Sequence, residues 1–339
     1  IDFQYGGVEI TGNGDNESIR GTDSADTLFS MGGNDTVIGL NGDDVIDGGD
    51  GDDLINGGGG DDLIHGGDGD DVIDGESGSD VIYGESGNDE ITTTGSNNTV
   101  YGGTGNDSFT RGGGLFYGGD GDDSFNVTGI LYGGEGEDTF SISDGFSKVY
   151  GENGDDTLRG GAMGDVLFGG LGNDTKTGGG GNDQFYFTDF NDGTDTITDF
   201  GQSGDMDTLL FNHTPTSNYT RTGMTVDSGA NGTVYNISSS NSLPNIWNFT
   251  QNISSYNATN IANTLSTFKI TTNGSAAITH AEDFFVVAGD GTNTGVFVWR
   301  DTGNGVIAAG ELTHMANLNG VNNDTLTGAE FAFQAISGV

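Results

Sequence analysis

The chain of 339 residues has no cysteine, two prolines and only 8 Lys+Arg. Without cysteine there are no disulfides, no thiolate-bound zinc and no cysteine nucleophile. So few basic residues cannot neutralise a phosphate backbone, which excludes nucleic acid as a partner, and anionic membrane surfaces would repel the chain. No apolar run reaches the roughly 18 residues that a membrane span requires, so no transmembrane segment is expected. Ile1-Asp2-Phe3-Gln4-Tyr5 has neither a basic region nor an apolar stretch, so it does not read as a signal peptide. The missing initiator Met reads as a mature or truncated product. Catalytic signatures are absent too: neither H-E-x-x-H nor G-x-S-x-G occurs, and His65, His213, His280 and His314 are scattered. The chain is expected not to be an enzyme. Hydrophobic residues make up 32%, against about 45–50% in ordinary globular domains, which rules out a conventional α/β core.

What the chain does have is 66 Gly and 52 Asp+Glu, giving a formal net charge of −44. Such an acidic chain needs counter-cations to stay compact, and calcium, a hard ion that takes oxygen ligands, is the natural candidate. The glycines and aspartates are periodic rather than diffuse. From Gly39 the sequence falls into blocks of nine: GLNGDDVID, GGDGDDLIN, GGGGDDLIH, GGDGDDVID, GESGSDVIY and GESGNDEIT. The register reaches back to Gly12, where Glu17 stands in place of the aspartate, and forward with interruptions to Tyr186. In each block the first six positions favour tight turns, because Gly, Asp and Asn tolerate left-handed backbone. The last three form a short strand whose middle residue points inward: Ile19, Leu28, Val37, Ile46, Ile55, Ile64, Ile73, Ile82, Ile91, Val100 and Phe109. Two blocks make one coil, so about twenty blocks give roughly ten coils and a rod of about 48 Å. A core one side chain thick is too thin to offset chain entropy and acidic repulsion unaided.

This G-G-x-G-x-D-x-U-x pattern resembles the RTX, or hemolysin-type, calcium-binding repeat proteins over about half the chain. The resemblance implies an all-β fold: an RTX parallel β-roll, followed here by a small β-rich C-terminal domain. It implies calcium held between turns on one edge by the sixth-position carboxylates and by carbonyls of the glycine-rich turns. Carried over by position, those carboxylates are Asp26, Asp35, Asp44, Asp53, Asp62, Asp71, Asp80 and Asp89, then Asp107, Asp123, Asp138, Asp156, Asp165, Asp174 and Asp183. Counting gaps between turns gives roughly a dozen ions. Export through a type I exporter, and a secreted or cell-surface location, are further implications of the resemblance.

Between 93 and 150 only alternate blocks fail: TTGSNNTVY, RGGGLFY, VTGILY and ISDGFSKVY. Alternate blocks lie on opposite edges, so one edge is expected to keep its column of aspartates while the other loses it. The same blocks bring outward-facing Tyr101, Tyr117, Tyr132 and Tyr150 into line with Tyr83 and Phe168. Three readings fit this aromatic face: cross-strand stacking, a surface covered by the C-terminal region or a second protomer, and a sugar platform. The covered face is the expectation carried forward, and it makes those six residues an interface.

The chain divides by composition into a lead-in strand (1–11), the β-roll (12–186), its cap (187–211), an Asn/Thr/Ser-rich β segment (212–280) and a mixed C-terminal domain (281–339) with a possible secretion signal. Lys176 at an inward position suggests that the coil opens there. In the cap, Asp195 and Asp199 are candidates for a last ion. In the last region a hairpin is expected from Asp283–Ala288 and Gly295–Arg300, then a short helix from Glu311 to Leu318. The loop from Asp301 to Glu311 is reminiscent of an EF-hand but one residue short. The function these features suggest is a secreted, self-associating calcium-binding structural protein of the bacterial surface or extracellular matrix, forming a homo-oligomer, lattice or filament. The alternatives are the calcium and secretion module of a larger exoenzyme or toxin, and an adhesin or sugar- or ice-binding module.

Overall fold

The computed structural model describes residues 6–143, 145–187, 193–200 and 207–211, together with the strand segments 224–228, 234–237, 246–249, 268–272, 283–289, 294–300, 312–318 and 331–333. All regular structure among them is β. They belong to two compact units: 1–171 with 179–181, and 172–178 with 182–339.

The first unit is a parallel solenoid. Each short strand pairs with the strand two blocks away, so two parallel ladders alternate along the sequence. One runs Val45↔Leu63, Leu63↔Val81, Val81↔Thr99, Thr99↔Leu115, Leu115↔Ile130, Ile130↔Lys148 and Lys148↔Val166. The other runs Ser18↔Thr36, Thr36↔Leu54, Leu54↔Val72, Val72↔Glu90, Glu90↔Ser108, Ser108↔Ser124, Ser124↔Thr139 and Thr139↔Thr157. Side chains alternate across each strand, so the middle residue of every strand enters the core. From Leu28 to Ile82 these residues are fully buried. Farther along, the core changes to phenylalanine, with Phe109, Phe125 and Phe140 stacked at 4.7 and 4.4 Å.

The turns require glycine for two separate reasons. At the second position the backbone is left-handed, with φ 94° at Gly49 and 121° at Gly67. Met31, Leu40, Glu85 and Glu152 adopt the same conformation at this position, with φ from 78° to 91°. Each such non-glycine residue costs about 1 kcal/mol of strain, which the coil tolerates because the neighbouring turns over-determine the backbone. At the first position the reason is space, and it bears on the site described below.

In the second unit, Thr175–Thr177 pairs in parallel with Asp195–Ile197, which in turn pairs with Leu312–Leu318. Gln184–Phe187 pairs with Thr208–Phe211, and that strand with Phe331–Phe333. The expected opening of the coil at Lys176 does not occur, since Lys176 stays in register opposite Ile197. The hairpin is present as Asp283–Gly289 against Thr294–Arg300. The expected helix is not. Leu312–Leu318 is a strand, because backbone pairing with Thr294–Arg300 on one side and Asp195–Ile197 on the other satisfies its amides better than an isolated turn or two of helix. In the Asn/Thr/Ser-rich segment the described strands 224–228, 234–237 and 268–272 pair antiparallel, whereas Ile246–Phe249 pairs in parallel with Asp283–Gly289. The EF-hand-like loop lies outside the described residues.

Candidate metal centre

In the regular turns the sixth residue is an acidic side chain folded back under its own loop. Asp26, Asp35, Asp44, Asp53, Asp62, Asp71, Asp80, Asp89, Asp107, Asp123, Asp138, Asp156 and Asp165 are all buried. One carboxylate oxygen of each is used structurally. Asp44 Oδ1 accepts the Asp26 amide at 2.7 Å, Asp71 Oδ1 the Asp53 amide at 2.8 Å and Asp123 Oδ1 the Asp107 amide at 2.7 Å. These bonds tie each turn to the turn two blocks away and stack the carboxylates into columns.

The second oxygen of Asp26 accepts the Thr22 amide and that of Asp165 the Gly161 amide, but along the columns from Asp35 to Asp138 it has no such partner. Oδ2 of Asp35, Asp44, Asp53, Asp62, Asp71, Asp80, Asp89, Asp107, Asp123 and Asp138 is buried and accepts no hydrogen bond. A buried carboxylate oxygen left this way carries a large desolvation penalty. From Asp44 to Asp138 each of these oxygens points at the glycine that opens its own turn. A methyl group added at Gly39 would fall on Asp44 Oδ2 and on the Gly57 carbonyl oxygen of the turn two blocks on. The same pair of oxygens converges at Gly48, Gly66, Gly84, Gly102, Gly118 and Gly133. These gaps thus present oxygens from two successive turns to one small space.

The electrostatics follow from this stacking. Burial, then the neighbouring carboxylates, push Asp62, Asp71 and Asp107 up to about 7 and Asp123 up to about 8. Asp80, Asp89 and Asp138 rise to about 6, and Asp44, Asp53 and Asp165 rise too. The amide bonds to Oδ1 oppose the rise without cancelling it. A column of this kind must take up either protons or cations. Dense oxygen donors without sulfur or imidazole favour a hard cation.

The RTX calcium-binding nonapeptide repeat matches residues 11–46, 47–82, 56–91, 83–114, 150–185 and 160–197. The chain belongs to the RTX calcium-binding repeat family. None of the curated proteins matches the chain. RTX repeats bind calcium, and proteins that carry them are typically secreted. The RTX turns seen here fit that ion, because the orphaned Oδ2 atoms and converging carbonyls are oxygen donors in the places where positive charge is needed. Among the described residues no three His, Cys, Asp or Glu side chains converge on one point. An ion in these turns would therefore draw heavily on backbone carbonyls. Bound calcium supplies positive charge and a cross-link between successive turns, while the chain itself supplies the spacing.

The matches leave out residues 115–149, a stretch within which the two edges differ. On the edge carrying Asp89, Asp107, Asp123 and Asp138 the amide-to-carboxylate ladder is continuous. On the opposite edge it changes character after Asp80. Asn98 takes the aspartate position, accepting the Asp80 amide at 3.0 Å and donating to Thr93 Oγ1 at 3.0 Å and to the Gly113 carbonyl. Two turns then dissolve into the long strands Ser108–Asp120 and Ser124–Glu135. Ser147 takes the next acidic position, with its amide on Asp165 Oδ1 at 2.7 Å. Over the same stretch the glycine that opens each turn is replaced by Thr93, Arg111, Val127 and Ile142, and all but Arg111 are buried.

Glu17 heads the continuous column, with its amide on Asp35 Oδ1 at 2.6 Å. The second unit repeats the motif at longer spacing. The Asp174 amide bonds to Asp195 Oδ1 at 3.2 Å and the Asp183 amide to Asp207 Oδ1 at 3.0 Å. Asp195 and Asp207 are buried, whereas Asp199 is only partly buried and accepts the Gly178 amide. Position counting in the sequence gives Asp199 no priority over Asp195 and misses Asp207. The available signal was a carboxylate directly before a strand, as in Asp195-Thr196-Ile197 and Asp207-Thr208-Leu209-Leu210.

The aromatic ladder is continuous. Tyr83, Tyr101, Tyr117, Tyr132, Tyr150 and Phe168 stack with centroids 4.5 to 4.9 Å apart. His65, at an outward strand position, extends it, stacked on Tyr83 at 4.8 Å with Nδ1 2.7 Å from Glu85 Oε1. Lys148 Nζ lies 4.9 Å from the Tyr150 centroid. Because each ring covers its neighbour, the ladder presents edges and hydroxyls outward. A sugar platform needs open ring faces, and these are already used.

Proposed function

We propose that the chain is a non-enzymatic structural protein of the bacterial cell surface or extracellular matrix that folds when it meets calcium outside the cell and then self-associates. The observation that carries this reading is the buried column of carboxylates whose second oxygens lack hydrogen bonds. Without cations the column opposes the coil, and with them it staples one turn to the next. A chain that stays unfolded at cytosolic calcium suits passage through a type I exporter, and roughly a dozen ions would be taken up on arrival. The ladder from Tyr83 to Phe168, beside Ile130, is the surface through which copies would meet.

Circular dichroism during a calcium titration tests the folding step. A β-rich spectrum should develop with calcium and vanish with chelator, and a spectrum indifferent to chelator would overturn the reading. Sedimentation velocity tests the association step. The calcium-loaded chain should sediment faster than a monomer at micromolar concentration, and Tyr117→Ser with Tyr132→Ser should slow it without changing ion uptake.

A further inference from the structure

Lys176 breaks the apolar series of inward positions yet is fully buried. Its Nζ lies 2.7 Å from Asp195 Oδ2 and 3.9 Å from Asp174 Oδ2. It also donates to the Tyr186 carbonyl at 3.4 Å and lies 4.7 Å from the Phe187 ring centroid. Asp174 and Asp195 are successive members of a carboxylate ladder, joined by the amide of one and Oδ1 of the other. Elsewhere, from Asp35 to Asp138, the second oxygen accepts nothing from the chain. At Asp195 it accepts a lysine ammonium.

We propose that the Lys176 ammonium is the resident cation between Asp174 and Asp195, so that this gap takes no calcium ion. The ammonium neutralises the pair of carboxylates from inside the core. A divalent ion entering the same gap would face a fixed like charge and compete for an oxygen already used. The Tyr186 carbonyl and the ring of Phe187 hold Nζ in place between the two carboxylates. The turns around 172–178 and 193–199 therefore keep their pairing at calcium concentrations that leave the rest of the ladder empty. The inference rests on the reading that the other gaps bind calcium.

Two substitutions in the full chain test it, with bound calcium counted by elemental analysis after gel filtration. Lys176→Met keeps an apolar stem and removes the charge, and should raise the stoichiometry by one ion. Asp195→Asn should leave the stoichiometry of the otherwise unchanged chain as it is. A loss of one ion in Asp195→Asn, or an unchanged count in a folded Lys176→Met, would overturn the proposal. Hydrogen exchange of the unsubstituted chain in chelator provides an arm that does not depend on either variant folding. Amides of 174–177 and 195–198 should exchange at least tenfold more slowly than those of 54–56 and 72–74, and equal rates would overturn it. If no chain binds calcium at all, the broader reading fails instead, and the two failures are told apart by the count for the unsubstituted chain.

Discussion

Along the edge that runs from Glu17 through Asp35 to Asp156, every turn ends in an acidic residue, buried from Asp35 onward, and opens with glycine or with Ser30. Along the opposite edge Thr93, Arg111, Val127 and Ile142 open the turns over the stretch where Asn98 and Ser147 take the place of aspartate. The two changes go together for a steric reason. The aspartate folds its Oδ2 back onto the first residue of its own turn, and a β-carbon there would collide with that oxygen and with the carbonyl two blocks on. Once the carboxylate is gone the space is free, and a side chain can enter it. Val127 and Ile142 become part of the core, each contributing about 1.5–3 kcal/mol by burial. Ser30 shows the limit of the rule: its hydroxyl donates to the Gly48 carbonyl at 2.6 Å, so a small side chain that bonds to the crowding oxygen is accepted. One edge is thus built to be held by ions, and the middle of the other by apolar packing and backbone pairing.

The largest expected effect comes from forcing one edge to take the other's residue. Gly118→Val would drive a branched side chain into Asp123 Oδ2 and the Gly133 carbonyl, and should destabilise the calcium-loaded protein by about 3 kcal/mol or more. Val127→Ala on the other edge should cost about 1–3 kcal/mol and leave the calcium midpoint unchanged. Denaturant unfolding at saturating calcium measures both, and equal losses would break the comparison.

Removing a carboxylate comes next. Asp123→Asn should raise the calcium concentration needed for folding and lower the number of bound ions. Asn98→Asp, which restores the repeat consensus, should not supply a working site. Its new charge would face the Gly113 carbonyl in place of a donated hydrogen bond, costing about 1–3 kcal/mol. Isothermal titration calorimetry distinguishes these outcomes, and tighter calcium binding by Asn98→Asp would show that the interrupted edge is still competent.

The pH dependence separates ions from protons. Folding raises Asp62, Asp71 and Asp107 to about 7 and Asp123 to about 8, so between pH 4 and these values the folded state binds more protons than the unfolded one. Stability of the calcium-free coil should therefore be greatest near pH 4 and be lost as pH rises through 6 to 8. Calcium displaces those protons, so its apparent affinity should rise across the same interval. Circular dichroism at pH 5 and pH 8, with and without chelator, tests both signs.

The smallest effect concerns the ladder. Tyr117→Ser should cost the isolated coil roughly 0.5–1.5 kcal/mol in lost stacking, whereas Thr110→Ser on the polar ladder should be close to neutral. Thermal unfolding in calcium is a sufficient measurement.

Much of this was legible in the residues themselves. The nine-residue period assigns each side chain to core, turn or outer face, since strand alternation and turn chemistry are both local. The inward series from Ile19, the aspartate columns and the tyrosine register all follow from it, and so does the divergence of the two edges, because alternate blocks must lie on opposite sides. Tertiary structure decided what depends on partners distant in sequence. Asp195 and Asp207 join the ladders at spacings of 21 and 24 residues, which no nine-residue period contains. Lys176 stays in the coil because Asp195 and Phe187 meet its ammonium there. His65 joins the aromatic stack through Tyr83, and 312–318 becomes a strand because two existing strands offer it their edges. A local period specifies geometry within one turn, whereas a buried charge or an unpaired edge is settled only by the group that arrives to satisfy it.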